Sequence, residues 1–204
     1  MDRPRLELSN RSRRLITLFA TVAVLALPDA ALAHTGLGVG GFASGFVHPM
    51  SGLDHVLAMF AVGLWAARHG GRATWLIPTT FVSMMVVGAA AALGGLPLPL
   101  VELGVAGSVV VLGAVVALDR RLPMVSVAPL VAALAVFHGY AHGAEPGATV
   151  SGATYGVGFV LATVALHGWG LAGGFLVNRL AGLRPVQAGG GAIALAGLWM
   201  LAGL

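Results

Sequence analysis

ATWLIPTTFVSMMVVGAAAAL, residues 73–93, runs its whole length without a charged side chain. A helix needs about 20 apolar residues to cross the roughly 30 Å of hydrocarbon in a bilayer. A stretch that is apolar on every face has no side to turn toward water, so it reads as a transmembrane helix. Comparable stretches lie on either side of it, at 38–67, 98–118, 123–143, 149–177 and 187–204. Composition agrees: hydrophobic residues make up 58% of the 204, charged residues 9%, and mean hydropathy is +0.93. Soluble domains carry about 25% charged residues. The expected fold class is therefore all-α, a polytopic membrane bundle of six transmembrane helices forming one domain, 34–204.

The first 33 residues read differently. Arg3, Arg5, Arg11, Arg13 and Arg14 precede the apolar run 15–27, then Pro28 and the triplet Ala31, Leu32, Ala33. Basic, apolar and small, in that order, make a secretory signal peptide. Cleavage after Ala33 leaves His34 as the mature N-terminus, where a free amine and an imidazole on one residue form a chelating pair.

The remaining arginines sort themselves by loop. Arg68 and Arg72 follow the first stretch, Arg120 and Arg121 the third, Arg179 and Arg184 the fifth, while the connections 94–97 and 144–147 carry none. The positive-inside rule then places the arginine loops in the cytoplasm and both mature termini in the periplasm, as expected of a multi-pass inner-membrane protein.

Several function classes drop out. Cysteine is absent, which excludes disulfides and thiolate metal sites. All 11 basic residues are arginine, so there is no Walker A lysine. The sequence pI of about 11.1 arises from terminal and loop arginines, with no basic patch beside stacking aromatics, so nucleic acid is not an expected partner. The first expected partner is the bilayer, and self-association as a homo-oligomer stays open.

Two polar clusters interrupt the apolar background. The first, HPMSGLDH at 48–55, lies in a stretch of about 45 Å if straight, too long for the hydrocarbon. It must bend, tilt or break, and Pro49 with Gly52 is the natural place. In an unbroken helix His48 and His55 share a face but stand about 10 Å apart, so one ion reaches both only if 49–52 folds back. Met59, one turn after His55, offers a thioether but reads first as packing.

The second cluster is FHGYAHGAE, 137–145, in which His138, His142 and Glu145 fall within a stripe of about 60°. Imidazoles four residues apart can clamp one ion. After Ala33 the only carboxylates are Asp54, Glu102, Asp119 and Glu145. Ionisable groups at membrane depth are costly and default to function. Asp119 reads as a solvated partner of Arg120, His69 as interfacial, and Glu102 and His167 as secondary candidates. The candidate metal-binding set is His34, His48, Asp54, His55, Glu102, His138, His142 and Glu145. Imidazole and carboxylate without thiolate suit Ni(II), Co(II) or Zn(II).

With both motifs present, the chain resembles the HupE/UreJ family of nickel and cobalt permeases over nearly all of its mature length. The resemblance implies secondary transport of Ni(II) or Co(II) across the inner membrane, supplying hydrogenase, urease or cobalamin synthesis, with no permanently bound cofactor and no enzymatic activity. It carries over onto His48, Asp54, His55, His138, His142 and Glu145, and Glu102 resembles an acidic position of the third span. The rival readings are an intramembrane zinc-dependent hydrolase, in which three His ligands leave a place for water, and a metallocentre assembly protein that does not transport.

The signal-peptide reading has a direct check. N-terminal sequencing of protein purified from membranes should begin at His34, and a retained Met1 would refute cleavage.

Overall fold

A computed structural model describes residues 41–119, 122–144 and 152–204. The expected signal peptide 1–33, His34, Arg120, Arg121 and Glu145 lie outside the described residues. The described chain forms helices α1 (Phe42–Ser51), α2 (Leu53–His69), α3 (Ala73–Leu93), α4 (Val101–Ala117), α5 (Met124–Gly143), α6 (Gly152–Ala181) and α7 (Leu183–Ala202). Four of these, α3, α5, α6 and α7, are long and apolar enough to cross a membrane, and α1 with α2 makes a fifth if the pair is one broken span. Helix α4, 17 residues, is a shorter apolar helix of about 25 Å.

The stretch 38–67 is not one helix. It breaks at Gly52 into α1 and α2, whose axes differ by 84°. At the other end of the chain, helix runs further than the apolar stretches indicate. Arg179 closes α6 and Arg184 opens α7, with Gly182 between them at φ 76°, a conformation open to glycine. Pro185 does not delay α7 because it falls in the first turn, where a missing N–H costs nothing.

The bundle is inside-out relative to a soluble protein. Trp75, Trp169, Leu195 and Trp199 stand exposed, while small residues and a few large ones, Trp65, Phe81 and Met59 among them, fill the centre. Where water supplies no drive between helices, close backbone approach does. The three most extensive interfaces are α3 with α5, α4 with α7, and the α1–α2 unit with α6, and each closes on glycine. A Cβ on Gly139 would overlap the Met85 carbonyl, one on Gly63 the His167 carbonyl, and one on Gly113 the backbone of Ala194.

These contacts also fix helix direction. Phe60 and Gly63 meet Gly170 while Ala67 meets Gly174, so α2 and α6 run parallel. Met85 meets Gly139 while Ala89 meets Gly143, so α3 and α5 are parallel too. Val110 meets Gly197 while Ala117 meets Gly190, so α4 and α7 are antiparallel.

At one end of the bundle, Asp119 pairs with Arg68. The guanidinium donates twice, Nε to Oδ1 at 2.6 Å and Nη2 to Oδ2 at 2.7 Å. Asp119 sits at φ 50°, which aspartate tolerates better than most residues. Next to this pair, His69 Nε2 lies 3.1 Å from the Leu122 carbonyl, so the end of α2 is tied to the connection between α4 and α5.

A side chain at Gly113 should force α4 and α7 apart. Overpacking costs about 1–3 kcal/mol, so Gly113→Val should lower the thermal midpoint in detergent measurably. Gly168→Val, where a Cβ meets nothing within 4 Å, should leave it almost unchanged.

Candidate metal centre

The break at Gly52 builds the centre from the first motif. Helix α1 ends just past His48, whose carbonyl accepts a hydrogen bond from Ser51 Oγ at 2.6 Å. Helix α2 then starts afresh with Asp54 in its first turn, where a carboxylate is favoured by the helix dipole. Oδ1 of Asp54 accepts both the His55 backbone N–H and the His55 Nδ1–H, each at 2.8 Å. Gly52 itself has φ −91° and ψ 119°, which any residue adopts. Space is what demands glycine, because a Cβ there would stand 2.8 Å from Asp54 Oδ1 and 3.1 Å from His55 Nδ1.

The second motif meets the first. His142, in the last turn of α5, places Nε2 2.6 Å from His55 Nε2. His48 packs edge-on against the same ring, centroids 4.7 Å apart, and His138 packs likewise against His55 at 4.7 Å. Three of the four imidazoles, His55, His138 and His142, are buried.

Their protons follow from their partners. With Nδ1–H committed to Asp54, His55 Nε2 is a lone pair, and His142 Nε2–H donates to it. Ser108 Oγ donates to the Val105 carbonyl at 2.7 Å and so accepts from His138 Nε2–H at 2.6 Å. His138 Nδ1 is then a buried lone pair with no hydrogen-bond partner among the described residues. A buried polar atom left unmatched costs about 1–3 kcal/mol, and a neutral imidazole nitrogen of this kind has the chemistry of a metal ligand.

Among the described residues no three His, Asp or Glu side chains surround a common point at ligand spacing. What the fold brings together is His48, Asp54, His55, His138 and His142. Glu102 stands exposed in the first turn of α4, six residues before Ser108. His167 is buried in α6, and Met59 is core. Sequence reasoning missed Ser108, a lone serine in an apolar helix with no motif around it. It also missed Phe159, whose ring lies 4.3 Å from that of His142. An apolar cleft of about 400 Å³ reaches His142 from between α3, α5 and α6.

Residues 22–200 match the family model described as HupE / UreJ protein. The chain is 45% identical over 184 residues to Protein HupE of Rhizobium leguminosarum bv. viciae, covering 90% of this chain and 96% of that one. No solved structure matches. Both polar clusters and the helices that carry them fall inside the matched region, and the chain belongs to the HupE/UreJ family, which is not a family of enzymes.

Proposed function

We propose that this chain is a secondary permease carrying Ni(II) or Co(II) across the inner membrane into the cytoplasm. The observation that carries the reading is the contact of histidines from two distant motifs inside an otherwise apolar bundle: His55 against His142 at 2.6 Å, with His48 and His138 on either side. Glu145 and Glu102 would add negative charge, and His34 at a cleaved N-terminus would capture ions from the periplasm.

The geometry supports an ion in passage. Two nitrogens bound to one ion at about 2.0–2.1 Å each stand about 3 Å or more apart, wider than the contact between His55 and His142. An entering ion must therefore part the pair, and the proton between them must shift to His142 Nδ1 or leave. Asp54 holds the His55 proton on Nδ1 and so presents Nε2 to the ion, as a carboxylate does behind many histidine ligands. A resident zinc would call for three or four ligands already gathered, whereas conduction needs binding weak enough to release. A divalent ion entering down the membrane potential gains about 4.6 kcal/mol per 100 mV if it crosses the whole field.

The six-span topology belongs to the same reading. Counting α1–α2 as one span and α4 as another makes six. Spans one and five then point the same way, two and four the same way, and three and six oppositely, as the helix directions require. Both mature termini are periplasmic and Arg68 is cytoplasmic. The chain has no cysteine, so single cysteines replacing Arg120 and Glu145 can be labelled without background. They should react from opposite sides of the membrane, and labelling from one side would sink the topology.

Uptake of labelled nickel and cobalt, in cells with and without the chain, tests the function. His142→Ala and Asp54→Asn should each abolish uptake while the protein still inserts. Gly52→Ala, pressing on the Asp54–His55 bond, should cut uptake about tenfold or more. His69→Ala, at the far end of α2, should leave it nearly intact. Full uptake by His142→Ala would end the proposal.

A further inference from the structure

His167 takes no part in the centre described above, yet both of its ring nitrogens are buried without a hydrogen-bond partner. Trp65 Nε1 is also buried and unmatched, but an indole N–H is a donor only and cannot ligate. An imidazole always offers at least one lone pair when neutral, and among the described residues nothing engages it. The ring of Phe81 lies against both His167 and His138, with centroids 5.2 Å and 5.6 Å away. Among the described residues His138 Nδ1 is likewise buried without a hydrogen-bond partner.

Depth gives the arrangement a direction. Phe159, packed on His142, and His167 are eight residues apart on α6, about 12 Å along its axis, with Thr163 halfway between them. On α2, Gly63 meets the His167 carbonyl and lies eight residues past His55, again about 12 Å, and five short of Arg68. His138 sits one turn before His142 on α5, about 6 Å toward the same end. The imidazoles therefore descend in steps of about 6 Å, from His55 and His142 to His138 and then His167. Met85 Sδ, 3.8 Å from Thr163 Oγ, supplies a thioether beside this column.

We infer that His167, with His138 Nδ1 across Phe81, forms a second, inner station for the divalent cation, to which the outer pair of His55 and His142 hands its ion. The inference rests on the transport reading and adds to it a residue that neither motif contains. An ion leaving the outer pair would otherwise face hydrocarbon between His138 and Arg68, where nothing replaces its hydration. Phe81 stands between His138 and His167, so its ring must turn aside before one ion can reach both.

The test is Co(II) titration of the full chain in lipid nanodiscs, read by d–d absorption and stoichiometry, alongside cobalt uptake in cells. The wild type should bind two ions in succession. His167→Asn should bind one, with the absorption of the first ion retained, and should lower the initial uptake rate at least about tenfold. His167→Phe removes both unmatched nitrogens, so it should lower uptake equally while the thermal midpoint holds or rises. Two ions bound by His167→Asn, uptake within about twofold of wild type, or a single ion in the wild type would overturn the inner station. In those cases the loss of uptake in His142→Ala would leave the permease reading standing. A wild type that takes up neither metal would overturn that reading, and this inference with it.

Discussion

The 84° break at Gly52 is the constraint on which the centre depends. In hydrocarbon every backbone group must find a partner within the protein, so a helix breaks only where something else satisfies its ends. Here the loose ends are met locally: Ser51 Oγ bonds the His48 carbonyl, Asp54 takes the His55 N–H, and Val56 N bonds the Gly52 carbonyl. With the ends satisfied, His48 and His55 no longer follow a single axis. Both reach His142, which a straight helix could not allow across about 10 Å. A larger residue at 52 would adopt the same backbone angles but would crowd the bond between Asp54 and His55.

The rest of the bundle is arranged to hold that break in place. Taking α1–α2, α3 and α4 as one half and α5, α6 and α7 as the other, exchange of halves turns the α3–α5 interface into α6 against α1–α2. It turns α4–α7 into itself. The three most extensive interfaces are thus preserved under the exchange. Three spans per half would give the halves opposite orientations, the pattern of inverted repeats that enclose a site near their common axis. The two motifs stand in the first helix of each half, which is why they meet. Sequence similarity between the halves is weak, since glycine contacts constrain only a few positions in each.

Much of this was legible in the chain. The apolar stretches gave helices, the excess length of 38–67 together with Pro49 and Gly52 marked where one must bend, tilt or break, and the spacing of His138 and His142 gave a shared face. These signals are local, and the costs of lipid exposure and of helix breaking are local too. Contacts between distant segments were not legible. Asp119 binds Arg68, 51 residues away, a contact that no local pattern announces, while its expected partner Arg120 lies outside the described residues. Ser108 carries no motif, and only the packing of α4 on α5 turns it toward His138. Helix α6 outruns its apolar stretch because hydropathy falls at Asn178 and Arg179, whereas helical hydrogen bonding continues until Gly182 can turn the chain. Polarity marks where a membrane ends more sharply than where a helix does.

The distribution of tight and loose interfaces says how an ion could open a centre whose key nitrogens are in contact. His48 and His55 belong to the unit of α1, α2 and α6, locked at Gly63 and Gly170. His138 and His142 belong to the unit of α3 and α5, locked at Gly88 and Gly139. Between these units the interfaces are lighter, α2 with α3 and α3 with α6. The hydrogen bond from His142 to His55 is therefore a bridge between two stiff bodies and not a bond within one. Widening it from 2.6 Å to the 3 Å or so that a shared ion demands requires a small slip of one body past the other, with no change inside either. Close-packed units move as wholes because their interiors resist deformation. On the proposed transport reading, an ion inserting between the histidines would act on the interface directly, and the glycine contacts that stiffen each unit would carry its effect along the helices.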